Sequence, residues 1–188
     1  LLYPDRKGCR ERMARARSLL VRRDHPDIVG DRAYQPLKHD EAGRIDPVAM
    51  PVLTRIKPAI FHSDAKGGIA QLGFDRAFNR FAAAATKDGL ALFTQTDAWT
   101  CGALGYHAER LARQGMVALA ATNASAMIAG GGAIRPIYGT NPMAFAAPVA
   151  GRSPLLVDQS SSATAFVNVR AARERGSAIP DGWAIDRD

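Results

Sequence analysis

Phe74, Ala77, Phe78, Phe81, Ala82 and Ala85 recur at i, i+3, i+4, i+7, i+8 and i+11, the spacing of a single helix face. A helix with so aromatic a stripe must lie against an apolar layer, and its flanks show what that layer is. Gly67-Gly68 precede it, and Gly89 stands where a helix C-terminal glycine belongs. Leu90 to Thr94 then reads as a buried strand. A loop from Gln95 to Cys101 leads into a second helix with Leu104, Ala108, Leu111 and Ala112 on one face, closed by Gly115. Met116 to Thr122 is a second apolar, strand-like run. Helix, strand, helix, strand with short glycine stops predicts an α/β architecture and, from the alternation alone, parallel pairing.

Beyond that core the pattern becomes β-like. Ile134 to Tyr138, Met143 to Pro148 and Pro154 to Val157 are short apolar segments, separated by Gly139-Thr140-Asn141-Pro142 and Ala150-Gly151-Arg152. Ser162 to Glu174 can start a further helix, and Ala178 to Asp188 adds no closing element. On the N-terminal side, Arg10 to Val21 predicts a helix with the narrow stripe Met13, Ala16 and Leu20. Residues 24–47 contain Pro26, Gly30, Pro36, Gly43 and Pro47, which interrupt any long element.

Charge narrows the possible partners. The first 24 residues carry eight Lys or Arg against three acids, so they hold +5 of the net +7. The remainder is nearly neutral and lacks interleaved aromatic and basic residues. The expectation is therefore a solvated basic helix and no nucleic-acid partner. No run approaches the ~20 apolar residues that span a bilayer, so no membrane partner is expected. Cys9 and Cys101 lie far apart and form neither a disulfide framework nor a metal pair, which makes a reducing cytoplasm the default location. His25, His39, His62 and His107 show no metal-ligand spacing, and no metal is expected.

Several segments could carry chemistry, each with a plain structural alternative. Gly130-Gly131-Gly132 is either a flexible turn or a weak phosphate loop, since no clear helix follows it. Asp97-Ala98-Trp99-Thr100-Cys101-Gly102 runs into the second helix, so its N–H groups could meet a phosphate or carboxylate; alternatively Thr100 is an N-cap and Trp99 packs on the core. In Gly139-Thr140-Asn141-Pro142, Pro142 keeps Asn141 out of the helical region and so fixes Thr140. Asp158 closes an apolar run and precedes Gln159 and Ser160-Ser161-Ser162, the place for either a ligand contact or an Asx turn.

Together these segments resemble a known family. Thr100-Cys101-Gly102-Ala103-Leu104-Gly105-Tyr106 with Ala108-Glu109-Arg110-Leu111, Gly139 to Phe145, and Pro180-Asp181-Gly182-Trp183-Ala184 are similar to the malate/L-lactate dehydrogenase type of oxidoreductase, which is unrelated to the Rossmann-type lactate dehydrogenases. Ala98 to Gly102 and Asp158 to Thr164 resemble the branch that reduces Δ1-piperideine-2-carboxylate and Δ1-pyrroline-2-carboxylate. The similarity runs from about Glu41 to Asp188.

The resemblance implies an α/β chain whose cofactor domain is a largely antiparallel sheet flanked by helices, in a homodimer. It divides the sequence into an arm, residues 1–47, that contributes to the substrate site, and a cofactor domain, residues 48–188, cut short at its C-terminal end. Thr100, Cys101, Gly102, Ala103 and Leu104, with Asp158, Gln159 and Ser160, would contact NADPH or NADH. Thr140, Phe166 and Val167 would line the substrate site, and Arg32 falls where the family grips the substrate carboxylate.

Two positions depart from the family. Its Ser-His-Gly segment, whose histidine donates the proton, falls on Asp27-Ile28-Val29, with His25 off register, and its relay aspartate falls on Asn168. The expected function is NAD(P)H-dependent reduction of a small cyclic 2-imino acid. The alternatives are a 2-hydroxy-acid dehydrogenase acting on a 2-oxo acid, or a truncated, non-catalytic member that binds only a ligand or partner.

Overall fold

The computed structural model of the chain describes residues 45–46, 48–99 and 101–185, and Val167 by its backbone alone. The expected helix at Arg10 to Val21 and the irregular stretch up to residue 44 lie outside the described residues. The chain divides into two compact units, one ending at His107 and the other running from Ala108 to Asp188.

The first unit is built on a three-stranded sheet, β1 (Val52–Lys57), β2 (Ile60–Asp64) and β3 (Leu92–Thr96), in the order β1-β2-β3. β1 and β2 form an antiparallel hairpin around Pro58-Ala59. Arg55 secures the turn, donating from Nε to the Pro58 carbonyl at 2.9 Å. β2 pairs with β3 in parallel, joined through α1 (Ala70–Asp88), so the alternation in the sequence does produce one parallel crossover.

α1 lies on the face of the sheet that carries Phe61, Ser63, Phe93 and Gln95. Phe74, Ala77, Phe78 and Phe81 are all buried, as the spacing predicts, whereas Ala82 and Ala85 are half-buried and Ala84, outside the expected stripe, is buried in their place. Phe74 and Phe81 meet Phe93 with centroids 5.7 and 5.9 Å apart. Gly89, at φ 79°, ends the helix in the left-handed region that glycine enters without strain. The strand that follows starts two residues later than the apolar run suggests, and its exposure alternates. Leu90 and Leu92 are exposed, so β3 is a half-covered edge strand and not the buried one expected.

α2 (Gly105–Ala112) starts in the first unit and ends in the second. Of the expected stripe, Leu104, Ala108 and Ala112 are buried and Leu111 is half-buried. The second unit holds a sheet of β4 (Ala118–Ala121), β7 (Met143–Ala147) and β8 (Leu155–Gln159) in the order β4-β7-β8, antiparallel throughout. A separate antiparallel pair joins β5 (Ile128–Ala129) and β6 (Pro136–Tyr138). α3 (Phe166–Glu174) follows β8.

The β4 run is corrected in the same way as β3. Ala118 is buried, but Val117 and Leu119 are exposed, because the antiparallel sheet has one covered face. Ala144 and Ala146 lie fully buried on that face, where small side chains allow close packing. Of the described strand pairings only β2 with β3 is parallel.

Candidate cofactor and substrate site

One group of candidate residues sits on the loop that leaves β3; the other spans the end of β8, the loop after it and the first turn of α3. Ala65 N donates to Thr96 O at 2.9 Å, Gly67 N to Asp97 O at 2.8 Å, Trp99 N to Gly68 O at 2.8 Å and Ala70 N to Trp99 O at 3.2 Å. The parallel pairing of β2 and β3 is thus carried past the strand ends, and Ile69 and Trp99 form a parallel bridge. Asp97 takes φ 49° and Lys66 φ 54°, the left-handed region that non-glycine residues enter at a cost.

Asp64 Oδ2 and Lys66 Nζ pair at 2.7 Å, and Asp64 Oδ1 accepts from Lys66 N at 3.0 Å. The hydrogen bonds from Lys66 hold the Asp64 carboxyl below its ordinary range, and the bond to Asp64 raises the Lys66 ammonium above its own.

Thr100 lies outside the described residues. Cys101, Gly102 and Ala103 are half-buried, and Leu104 faces the core at 5% exposure, so only its backbone can meet a ligand. Gly102 sits at φ 64°. The helix begins at Gly105, after turns in which Tyr106 N donates to Ala103 O and His107 N to Leu104 O. Cys101 and Gly102 therefore precede a tight turn and do not form the helix N-terminus itself. Trp99 is 37% exposed and is not a core residue. His107 is buried, with its ring 4.8 Å from that of Phe74, which gives it a packing role.

The second group lies in the second unit. Asp158 does not close β8; it lies within the strand opposite Ala144, and Gln159 lies opposite Met143. Asp158, Gln159 and Ser160 are exposed. Ser161 N donates to Thr140 O at 2.9 Å, which brings Thr140 beside the β8–α3 loop. Thr140 stands on a turn pinned from two sides. Asn141, at φ 34°, accepts through Oδ1 from Ala124 N at 3.1 Å, and Thr122 N donates to Pro142 O at 3.1 Å. A Cβ at Gly139 would run into the Ala124 carbonyl, so only glycine fits there.

The β8–α3 loop is tied by its own hydroxyls. Ser160 and Ser162 share a hydrogen bond of 2.9 Å, Ser162 Oγ donates to Thr164 O at 2.7 Å, and Asn168 Nδ2 donates to Thr164 Oγ1 at 2.9 Å. Phe166 is 51% exposed at the start of α3, and Val167 and Asn168 follow it. Thr140, Ser160 and Asn168 thus belong to one network, whereas residues 101–104 belong to the other unit. Arg32 lies outside the described residues. Sequence reasoning named the Ser160 to Ser162 run and the stretch to Thr164, but it gave Ser162 and Thr164 no role, and their bonds to each other and to Asn168 come from the structure. It also missed Gln95, whose signal was a polar residue at an inward position of a strand.

The chain belongs to the malate/L-lactate dehydrogenase family, whose model matches residues 32–188. It is 40% identical over 128 residues to a (2R)-3-sulfolactate dehydrogenase (NADP(+)) of Chromohalobacter salexigens, covering 68% of this chain and 38% of that protein. It is 35% identical over 146 residues to a Δ1-pyrroline-2-carboxylate reductase of Pseudomonas fluorescens, covering 78% and 44%. Among solved structures it is similar to Δ1-piperideine-2-carboxylate reductase from Pseudomonas syringae, with TM-score 0.67 and 34% identity, covering 73% of this chain and 42% of that one. The chain therefore spans less than half the length of these relatives.

Proposed function

We propose that this chain carries the cofactor region of an NAD(P)H-dependent reductase of small cyclic 2-imino acids, such as Δ1-piperideine-2-carboxylate or Δ1-pyrroline-2-carboxylate. The reading is carried by the chain's likeness, over 78% of its length, to proteins named as reductases of these acids, at 33 to 35% identity.

The residues present fit a dinucleotide. Gly102 has no side chain to stand between its backbone and a phosphate, and the half-buried Cys101 and Ala103 flank it. Asp158, Gln159 and Ser160 offer exposed polar groups at the end of β8. When bound, the nicotinamide supplies a hydride. Residues 48–188 would hold it through these groups, with Thr100 and the backbone of Leu104. Thr140, Phe166 and Val167 would line the substrate, Arg32 in the arm of residues 1–47 would grip its carboxylate, and Asn168 would stand at the relay position. The family resemblance also supports a homodimer, and the two widely separated cysteines support a reducing cytoplasm.

A second reading, a 2-hydroxy-acid dehydrogenase, is favoured by the sulfolactate dehydrogenase, at 40% identity over 128 residues. The test is NADPH and NADH oxidation by the purified chain against cyclic imino acids and against 2-oxo acids, with and without amines. Preference for the cyclic imino acids supports the first reading. Preference for 2-oxo acids without amine establishes the second.

A further inference from the structure

Gln95 occupies an inward position of β3, in register with Ser63 on β2 and beneath the first turns of α1. A half-buried polar side chain on the covered face of a sheet is retained at a cost unless its groups are bonded. Half of this one is bonded: Nε2 donates to Ala70 O at 3.0 Å. The other half is not, for among the described residues Gln95 Oε1 and the fully buried Ser63 Oγ have no hydrogen-bond partner. The two oxygens occupy the space a side chain at position 73 would need, and that residue is Gly73.

Ala70 is held from its other side as well, since its N–H donates to Trp99 O. Gln95 and Trp99 are four residues apart in the chain and both grip the first residue of α1. Between them lies Asp97 in its left-handed conformation. Residues 97–99 are thereby closed into a clamped loop, tied to the sheet and to Ala70.

We propose that Gln95 is a positioning residue for the cofactor loop: by holding Ala70, its amide fixes where residues 97–99, and the Cys101–Leu104 stretch after them, leave the sheet. The inference rests on the reading of that stretch as cofactor-binding. A residue kept only for packing would be better as an apolar one of the same length, because Oε1 gains nothing where it lies.

The experiment compares Gln95→Met with Ser63→Ala. The first removes the amide donor together with the unpaired Oε1, and the second removes only the other unpaired oxygen. Amide hydrogen exchange is read at Ala70 and Trp99, and cofactor binding by NADPH titration. In Gln95→Met, exchange at those two amides should quicken by about tenfold while the β1–β2 hairpin stays as protected as before. The dissociation constant for NADPH should rise by about tenfold. Ser63→Ala should change neither.

Unchanged exchange in Gln95→Met overturns the proposal, and so does uniform quickening through β1, β2 and α1, which would mark a merely structural role. Local quickening with unaltered NADPH affinity also overturns it. If Gln95→Met does not fold, Gln95→Leu, which has no donor at any protonation state, takes its place with the same expected outcomes. If the unmodified chain binds no NADPH, the cofactor reading falls, and the exchange pattern still decides whether Gln95 fixes residues 97–99.

Discussion

Phe81 stands edge-on to Phe61 across the interface of α1 and the first sheet, with ring centroids 6.0 Å apart. It also meets Phe74 and Phe93 at 6.4 and 5.9 Å, so one side chain touches the helix's own stripe and two adjacent strands. At 7% exposure its loss would leave a cavity bounded by three aromatic rings. Phe81→Ala should destabilise the first unit by ~3–5 kcal/mol, whereas Leu92→Ala, at an exposed position of β3, should cost less than ~1 kcal/mol. Urea unfolding followed by Trp99 fluorescence in a Trp183→Phe background measures both. Equal losses would show that the core lies elsewhere.

This much of the fold was legible because an amphipathic helix advertises its covered face by period. The strands were harder. Leu90 to Thr94 and Met116 to Thr122 are apolar runs, and period alone cannot tell a buried run from a strand with one bare face. Leu92 and Leu119 prove exposed. The β1–β2 hairpin went unread although Val52, Thr54 and Ile56 alternate with Leu53, Arg55 and Lys57, because that alternation is between two mixed faces. The two loops were placed by motif, but the left-handed angles at Gly102 and Asn141 were not read from it. Tertiary bonds such as Ser161 to Thr140 cannot be seen in a one-dimensional pattern.

Gly73 offers a test in which two magnitudes oppose each other. In an exposed helix, Gly→Ala gains ~1 kcal/mol from reduced backbone freedom. Here the added Cβ would collide with Gln95 Oε1 and Ser63 Oγ, and overpacking costs ~1–3 kcal/mol. Gly73→Ala should therefore destabilise, and Ser63→Ala should recover part of the loss by removing one collision. A double-mutant cycle by chemical denaturation reads the coupling. Strict additivity of the two changes would show that the oxygens do not define the space.

The Asp64–Lys66 pair makes stability depend on pH at both extremes. Asp64 titrates below its unfolded value, so its contribution is present above the ordinary carboxylate range and is lost as pH falls through the lowered value. Lys66 titrates above its unfolded value, so its contribution is complete below the ordinary lysine range and is lost as pH rises through the raised value. Lys66 is exposed and Asp64 half-exposed, and salt should weaken the effect. Asp64→Asn should reduce stability at neutral pH, with the difference from the unaltered chain vanishing in strong acid. Thermal melts across pH in low and high salt measure it. A difference that persists unchanged in strong acid would assign the loss to the turn and not to the charge.

Gly102 is where cofactor affinity should be most sensitive. Its φ of 64° strains any residue with a Cβ, and a carboxylate there also repels phosphate. Gly102→Asp should weaken NADPH binding by about tenfold or more, while Gly102→Asn, which tolerates the left-handed region and carries no charge, should weaken it less. Fluorescence titration of NADPH distinguishes them. Equal affinity in all three proteins would place the phosphates away from this loop.

The last prediction concerns the proton. Reducing a carbonyl requires hydride at carbon and a proton at oxygen, and a positioned acid contributes ~10²–10⁴-fold. By resemblance the donor position falls on Asp27-Ile28-Val29, where there is no histidine, and His25 stands off register. A 2-oxo acid should therefore bear the full deficit. A cyclic imine can take its proton from water before the hydride arrives, so its reduction should suffer less and should accelerate as pH falls. Single-turnover oxidation of NADPH would show this as a rate below the ordinary ~1–10³ per second for a 2-oxo acid, rising when imidazole is added as an external acid. For Δ1-piperideine-2-carboxylate the rate should climb toward low pH and respond weakly to imidazole. A 2-oxo acid turned over in the ordinary range without imidazole would mean that another residue of this chain donates the proton.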